Sequence, residues 1–67
     1  MNKAIDPVLR FPAVKAITGL ARSTIYLKLE RNEFPRPISL GDRAVGWLQS
    51  DIEKWLQQRI ALSHQAA

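Results

Sequence analysis

Apolar residues are scattered without period until Leu9, so residues 1–8 read as a tail leading into the domain. Phe11 and Pro12 then open a helix, since proline's missing N–H costs nothing at a first helical position. Val14 and Ile17, three apart, form its inward stripe, with Ala13 and Ala16 allowing close approach. Gly19 closes it by taking the left-handed conformation. A second apolar pair, Ile25 and Leu29, predicts a helix from Arg22 to about Arg31, with Leu20 plugging the turn before it. Asn32 and Pro35 stop that helix.

The spacing then switches from helical to alternating. Ile38 and Leu40 flank Ser39, Gly41-Asp42 supplies a two-residue turn, and Val45 and Trp47 lie on the return strand. Such a turn sets Ile38 opposite Val45 and Leu40 opposite Arg43. Pro35 and Pro37 cannot donate ladder hydrogen bonds, which makes the first of these strands an edge. Ser50-Asp51-Ile52-Glu53 has the form of a capping box, Ser50 covering an orphan amide and Glu53 reaching back. Ile52, Trp55, Leu56 and Ile60 continue as one helical stripe ending near Leu62, and residues 63–67 read as a frayed tail. The predicted class is mainly α with a small β-hairpin. Its order, α-turn-α-β-β-α over residues 9–62, is that of a winged helix-turn-helix.

Composition narrows the function. Sixty-seven residues make one domain with little apolar surface to bury. There is no cysteine and one histidine, His64, so disulfide staples and ordinary zinc sites are excluded and no metal or cofactor is expected. A hydrophobic fraction of 46% with two tryptophans supports a packed core. No run reaches membrane-spanning length and the N-terminus lacks the apolar centre of a signal peptide, which points to the cytoplasm. Ten Lys/Arg against six Asp/Glu leave a net charge of +4, and so basic a small domain suggests a polyanionic partner, nucleic acid first and an anionic membrane second.

Catalysis finds little support. Asp51 and Glu53 are two apart at a helix start and point to different faces, as a cap and its favourable charge would. Ser23, Thr24 and Tyr26 have no neighbouring histidine to activate them, and no glycine-rich phosphate loop exists. Trp47 and Trp55 fall on inward positions and read as core rather than as stacking platforms for single strands.

The segment TGLARSTIYLKLER, Thr18 to Arg31, is more informative. A glycine-containing turn between two short helices presents the start of the second helix to a major groove. Arg22, Ser23 and Thr24 lie on its first turn and suit base edges or the phosphates beside them. Tyr26, Lys28 and Arg31 suit the backbone, Arg36 and Arg43 stand at the two ends of the hairpin wing, and Lys15 on the first helix is a further phosphate candidate. A solvated helix of mixed charge would look similar, and Arg43 would also serve as edge-strand protection.

LRFPAVKAITGLARSTIY, FPRPISLGDRAVGW and SDIEKWLQQR together resemble, in order and spacing, the AlpA family of prophage regulatory proteins, over about Leu9 to Arg59. The resemblance implies a winged helix-turn-helix of the kind found in the MerR superfamily and in phage excisionases. It implies double-stranded DNA as partner, with transcriptional control, often of an integrase gene, or excision as the task. RNA polymerase, an integrase or further copies of the chain on DNA are then the expected protein partners. A rival from another class is a protein-interaction module whose basic face meets an acidic partner. By resemblance the reading helix is Arg22 to Arg31 and the wing Ser39 to Ala44. Two positions depart from the family pattern: Ala21 where a capping serine is usual, and outward Leu27 where a basic residue is common.

Overall fold

A computed structural model describes residues 6–66; residues 1–5 of the leading tail and residue 67 of the trailing one lie outside it. In chain order the elements are β1 (Val8–Leu9), α1 (Phe11–Thr18), α2 (Arg22–Glu30), β2 (Ile38–Ser39), β3 (Val45–Leu48) and α3 (Gln49–Ala66). The helix-turn-helix stands as the pattern predicts, and a hairpin follows it in the expected place. Strand β1 is an addition to it.

The turn between the first two helices is built by small residues. Gly19 sits at φ 73°, and its N–H donates to the Lys15 carbonyl at 2.8 Å. Thr18 ties both sides, its hydroxyl donating to the Val14 carbonyl at 2.7 Å while Oγ1 accepts from Leu20 N–H at 3.3 Å. The inward stripe of α1 is therefore Phe11, Val14 and Thr18, and Ile17, expected inside, is left 48% exposed. Val14 is central to the stripe, and Ile17 is rotated off it toward solvent.

Val14, Ile25, Phe34, Trp47 and Ile52 are the buried core, one from each major element and one, Phe34, from the loop after α2. That loop is clamped from both sides. Trp47 Nε1–H donates to the Pro35 carbonyl and Trp55 Nε1–H to the Glu33 carbonyl, each at 2.9 Å. The Phe34 ring packs edge-on against both indoles, with centroids 6.1 and 4.8 Å away. Trp47 is buried and Trp55 half-buried, and each satisfies its one donor.

Three strands form an antiparallel sheet in the order β1-β3-β2, which leaves β2 at an edge, as Pro35 and Pro37 require. The register departs from expectation by one residue. Ile38 pairs with Gly46 and Ser39 with Val45, and Leu40 N–H donates to the Ala44 carbonyl at 2.7 Å. The tip is consequently the three residues Gly41-Asp42-Arg43, not a two-residue turn. This register turns Trp47 and its partner Leu9 to the core and Gly46 to the opposite face.

Helix α3 follows β3 without a break, so Ser50 does not cap it in the expected way. Asp6 does: its carboxylate accepts from Ser50 N–H at 3.3 Å and from the Ser50 hydroxyl. Glu53 instead accepts from the Gln49 side chain at 3.1 Å. The helix runs past the expected Leu62 to Ala66. Its 18 residues span about 27 Å, and the core ends near Trp55 and Leu56. Ile60, placed on the inward stripe by spacing, overhangs at 52% exposure.

Candidate nucleic-acid interface

Helix α2 begins without a side-chain cap. Ala21, its N-cap, is extended at φ −76° and ψ 159°, and the first helical bond runs from Ile25 N–H to the Ala21 carbonyl at 3.0 Å. The amides of Arg22, Ser23 and Thr24 thus precede the helical ladder, and no side chain caps them. Amides so placed favour an anion.

Arg22 and Tyr26, one helical turn apart, both meet Phe11 from the start of α1. The guanidinium carbon of Arg22 lies 4.4 Å above the Phe11 ring centroid, and the Tyr26 ring lies 5.5 Å from it, tilted by 47°. Phe11 in turn stands edge-on to Trp47 at 5.4 Å, so this cluster is seated on the core. Stacking on an aromatic face satisfies part of the guanidinium's surface while leaving its in-plane donors for a base edge or phosphate. Arg22, Ser23 and Tyr26 are exposed, as is Leu27, whereas Thr24 and Lys28 are half-buried on the flank turned toward the body.

The remaining candidates separate. Arg31 is the C-cap of α2, a full helix length from Arg22, with Lys28 in the last turn. Arg43 is exposed at the hairpin tip. Arg36 precedes β2 at the other end of the hairpin and donates through Nη1 to the Leu29 carbonyl at 3.2 Å, which ties it to the end of α2 and away from the wing tip. Lys15 is exposed on α1. Thus Arg22, Ser23 and Tyr26 share one edge, Lys28, Arg31 and Arg36 gather at the far end of α2, and Arg43 stands apart on the wing.

One residue was missed by sequence reasoning. Arg10 is exposed, and its Nε donates to the Val45 carbonyl at 3.0 Å, joining the residue beside Phe11 to the wing strand. Arg10 and Phe11 therefore bridge the start of α2 to the wing. The signal for it lay in strand β1, whose pairing carries Arg10 across β3, and a two-residue strand has too little pattern to be read from spacing. Among the described residues there is no group of acidic, histidine or cysteine side chains able to hold a metal ion. None of the described helices is long and apolar enough to cross a membrane.

Comparison with known proteins shows the family. The family model described as prophage CP4-57 regulatory protein (AlpA) matches residues 7–60. The chain is 40% identical over 67 aligned residues to the DNA-binding transcriptional activator AlpA of Escherichia coli K12, covering 91% of this chain and 96% of that protein. It is 47% identical over 53 residues to the uncharacterized protein ORF88 of Enterobacteria phage P4, covering 79% of this chain but 60% of that protein. With most of its length matched, from β1 into the overhang of α3, the chain belongs to the AlpA family of prophage regulatory proteins.

Proposed function

We propose that this chain is a sequence-specific regulator that binds double-stranded DNA, inserting the start of α2 into a major groove and resting the Gly41–Arg43 tip on the adjacent backbone. The observation that carries this reading is the exposed edge of Arg22, Ser23 and Tyr26 at an uncapped helix start, bridged to the wing by Arg10 and Phe11. Arg22 and Ser23 face base edges or the phosphates beside them, with half-buried Thr24 closing the first turn. Tyr26, Arg43 and Arg10 hold phosphates. Lys28, Arg31 and Lys15 extend the positive field, and Arg36 supports the base of the wing from the end of α2. No reaction is performed.

The task assigned is transcriptional control of a gene on a prophage or genomic island, such as an integrase gene. The name of the Escherichia coli relative supports this choice. Bending attachment-site DNA for excision would use the same surface. Mapping the sites occupied in cells separates the two, promoters meaning transcriptional control and attachment-site ends meaning excision. Binding itself is tested by salt. If about four phosphates are neutralised, the logarithm of affinity should fall with the logarithm of salt concentration at a slope of about −3 to −4. A salt-insensitive complex, or preference for an acidic protein over duplex, would remove the DNA-binding reading.

A further inference from the structure

Away from the start of α2, the loop after that helix and the first half of α3 line an open groove of about 760 Å³. The α3 residues lining it are Asp51, Lys54, Trp55, Gln58 and Arg59, which recur at i, i+3, i+4, i+7 and i+8 and so form one continuous face. Arg36 supplies a third cation from the opposite wall. We propose that this groove is a docking site for a short acidic peptide segment of a partner protein, separate from the DNA-reading edge.

Trp55 makes the groove a built feature. Its Nε1–H is committed to the Glu33 carbonyl and its ring packs on Phe34, so the half-buried indole is held as a fixed apolar floor. Arg59 lies over that ring at 5.8 Å, and Arg36 is pinned by its bond to Leu29. Two of the three cations are thus already oriented, which lowers the ordering cost of meeting a carboxylate. Lys54 and Arg59 are both exposed. A peptide lying along α3 would set one carboxylate between Arg36 and Lys54, another at Arg59, and an apolar side chain on Trp55.

Charge decides between a peptide and a second stretch of duplex. Glu33 and Asp51 also line the groove. One strand of a duplex carries a negative charge on every nucleotide, about every 3.4 Å of axis, with no neutral unit to set against those carboxylates. An acidic peptide spaces its charges and offers backbone N–H groups to Glu33 and Asp51 in between. The groove opens at the opposite end of α2 from Arg22, so a copy seated on DNA keeps it available.

The test uses the full-length chain labelled with nitrogen-15 at about 0.15 M salt, where screening separates surface charges more than about 8 Å apart. Indole N–H resonances of the two tryptophans are followed as the peptide Glu-Leu-Glu-Glu-Leu-Glu, or its serine-for-glutamate control, is added. The acidic peptide should move the Trp55 indole and the amides of residues 32–36 saturably, with or without duplex bound, and the control should not. Lys54→Gln combined with Arg59→Gln should weaken the peptide by about tenfold while duplex affinity stays within about twofold. The proposal is overturned if shifts appear at Arg22 to Tyr26 instead, if the neutral control binds equally, or if the double substitution spares the peptide. It also fails if duplex DNA alone moves the Trp55 indole, which would make the groove a second DNA surface.

Discussion

Arg22 and Arg43 are both exposed arginines, yet their surroundings differ. The Arg22 guanidinium is laid on the Phe11 ring, which holds it in one orientation, while Arg43 is exposed at the tip of a glycine-containing loop. Arg22→Ala should cost ~1–3 kcal/mol on the preferred site and flatten the preference among sequences. Arg43→Ala should weaken all duplexes alike. Binding measured on a preferred and a scrambled duplex checks both, and equal, sequence-blind losses would leave Arg22 as a backbone contact. Neither change should unfold the chain, which circular dichroism verifies. Arg22 itself was legible in the sequence because it opens the helix after a glycine turn. Its seat on Phe11 was not, because a cross-helix stacking contact has no period along the chain.

Among the elements, α1, α2 and the start of α3 announce themselves through helical spacing and end signals, Gly19 above all. The sheet is less legible. Strand β1 is too short to show alternation, and the hairpin register depends on a tip whose third member, Arg43, has no turn signature. Gly46 marks the consequence. A Cβ there would stand 2.6 Å from Val8 Cγ1, 3.0 Å from the Leu9 carbonyl oxygen and 3.2 Å from Leu40 Cδ1. Val8 and Leu40 can give way by rotating, but the backbone of β1 cannot do so without loosening its pairing. Gly46→Ala should therefore cost about 1–3 kcal/mol, seen as a lower denaturation midpoint in urea. An unchanged midpoint would mean that β1 contributes little to holding β3. The end of α3 escaped reading for another reason: Ile60 keeps the apolar spacing where no core remains to receive it.

For the molecule as a whole, five buried side chains and two indole hydrogen bonds carry the fold. Trp55→Ala removes a large share of that and should cost ~3–5 kcal/mol, against a total of about 5–15 kcal/mol for a typical domain and toward the low end for one this small. Near-ultraviolet dichroism and duplex binding should disappear together. A variant that stays folded yet loses DNA would place α3, rather than α2, against the duplex. The pairing of Leu9 with Trp47 has a further consequence for how the protein is made. A ribosome adding about 5–20 residues per second needs roughly 2–8 s to pass from one partner to the other. Throughout that interval α1 and α2, of eight and nine residues, lack the strand that seats them, and helices so short are not stable alone in water. A released fragment ending before Trp47 thus carries every residue of α2 and should neither resist protease nor bind the duplex that the full chain prefers. Competence arrives only as β3 and α3 close the domain.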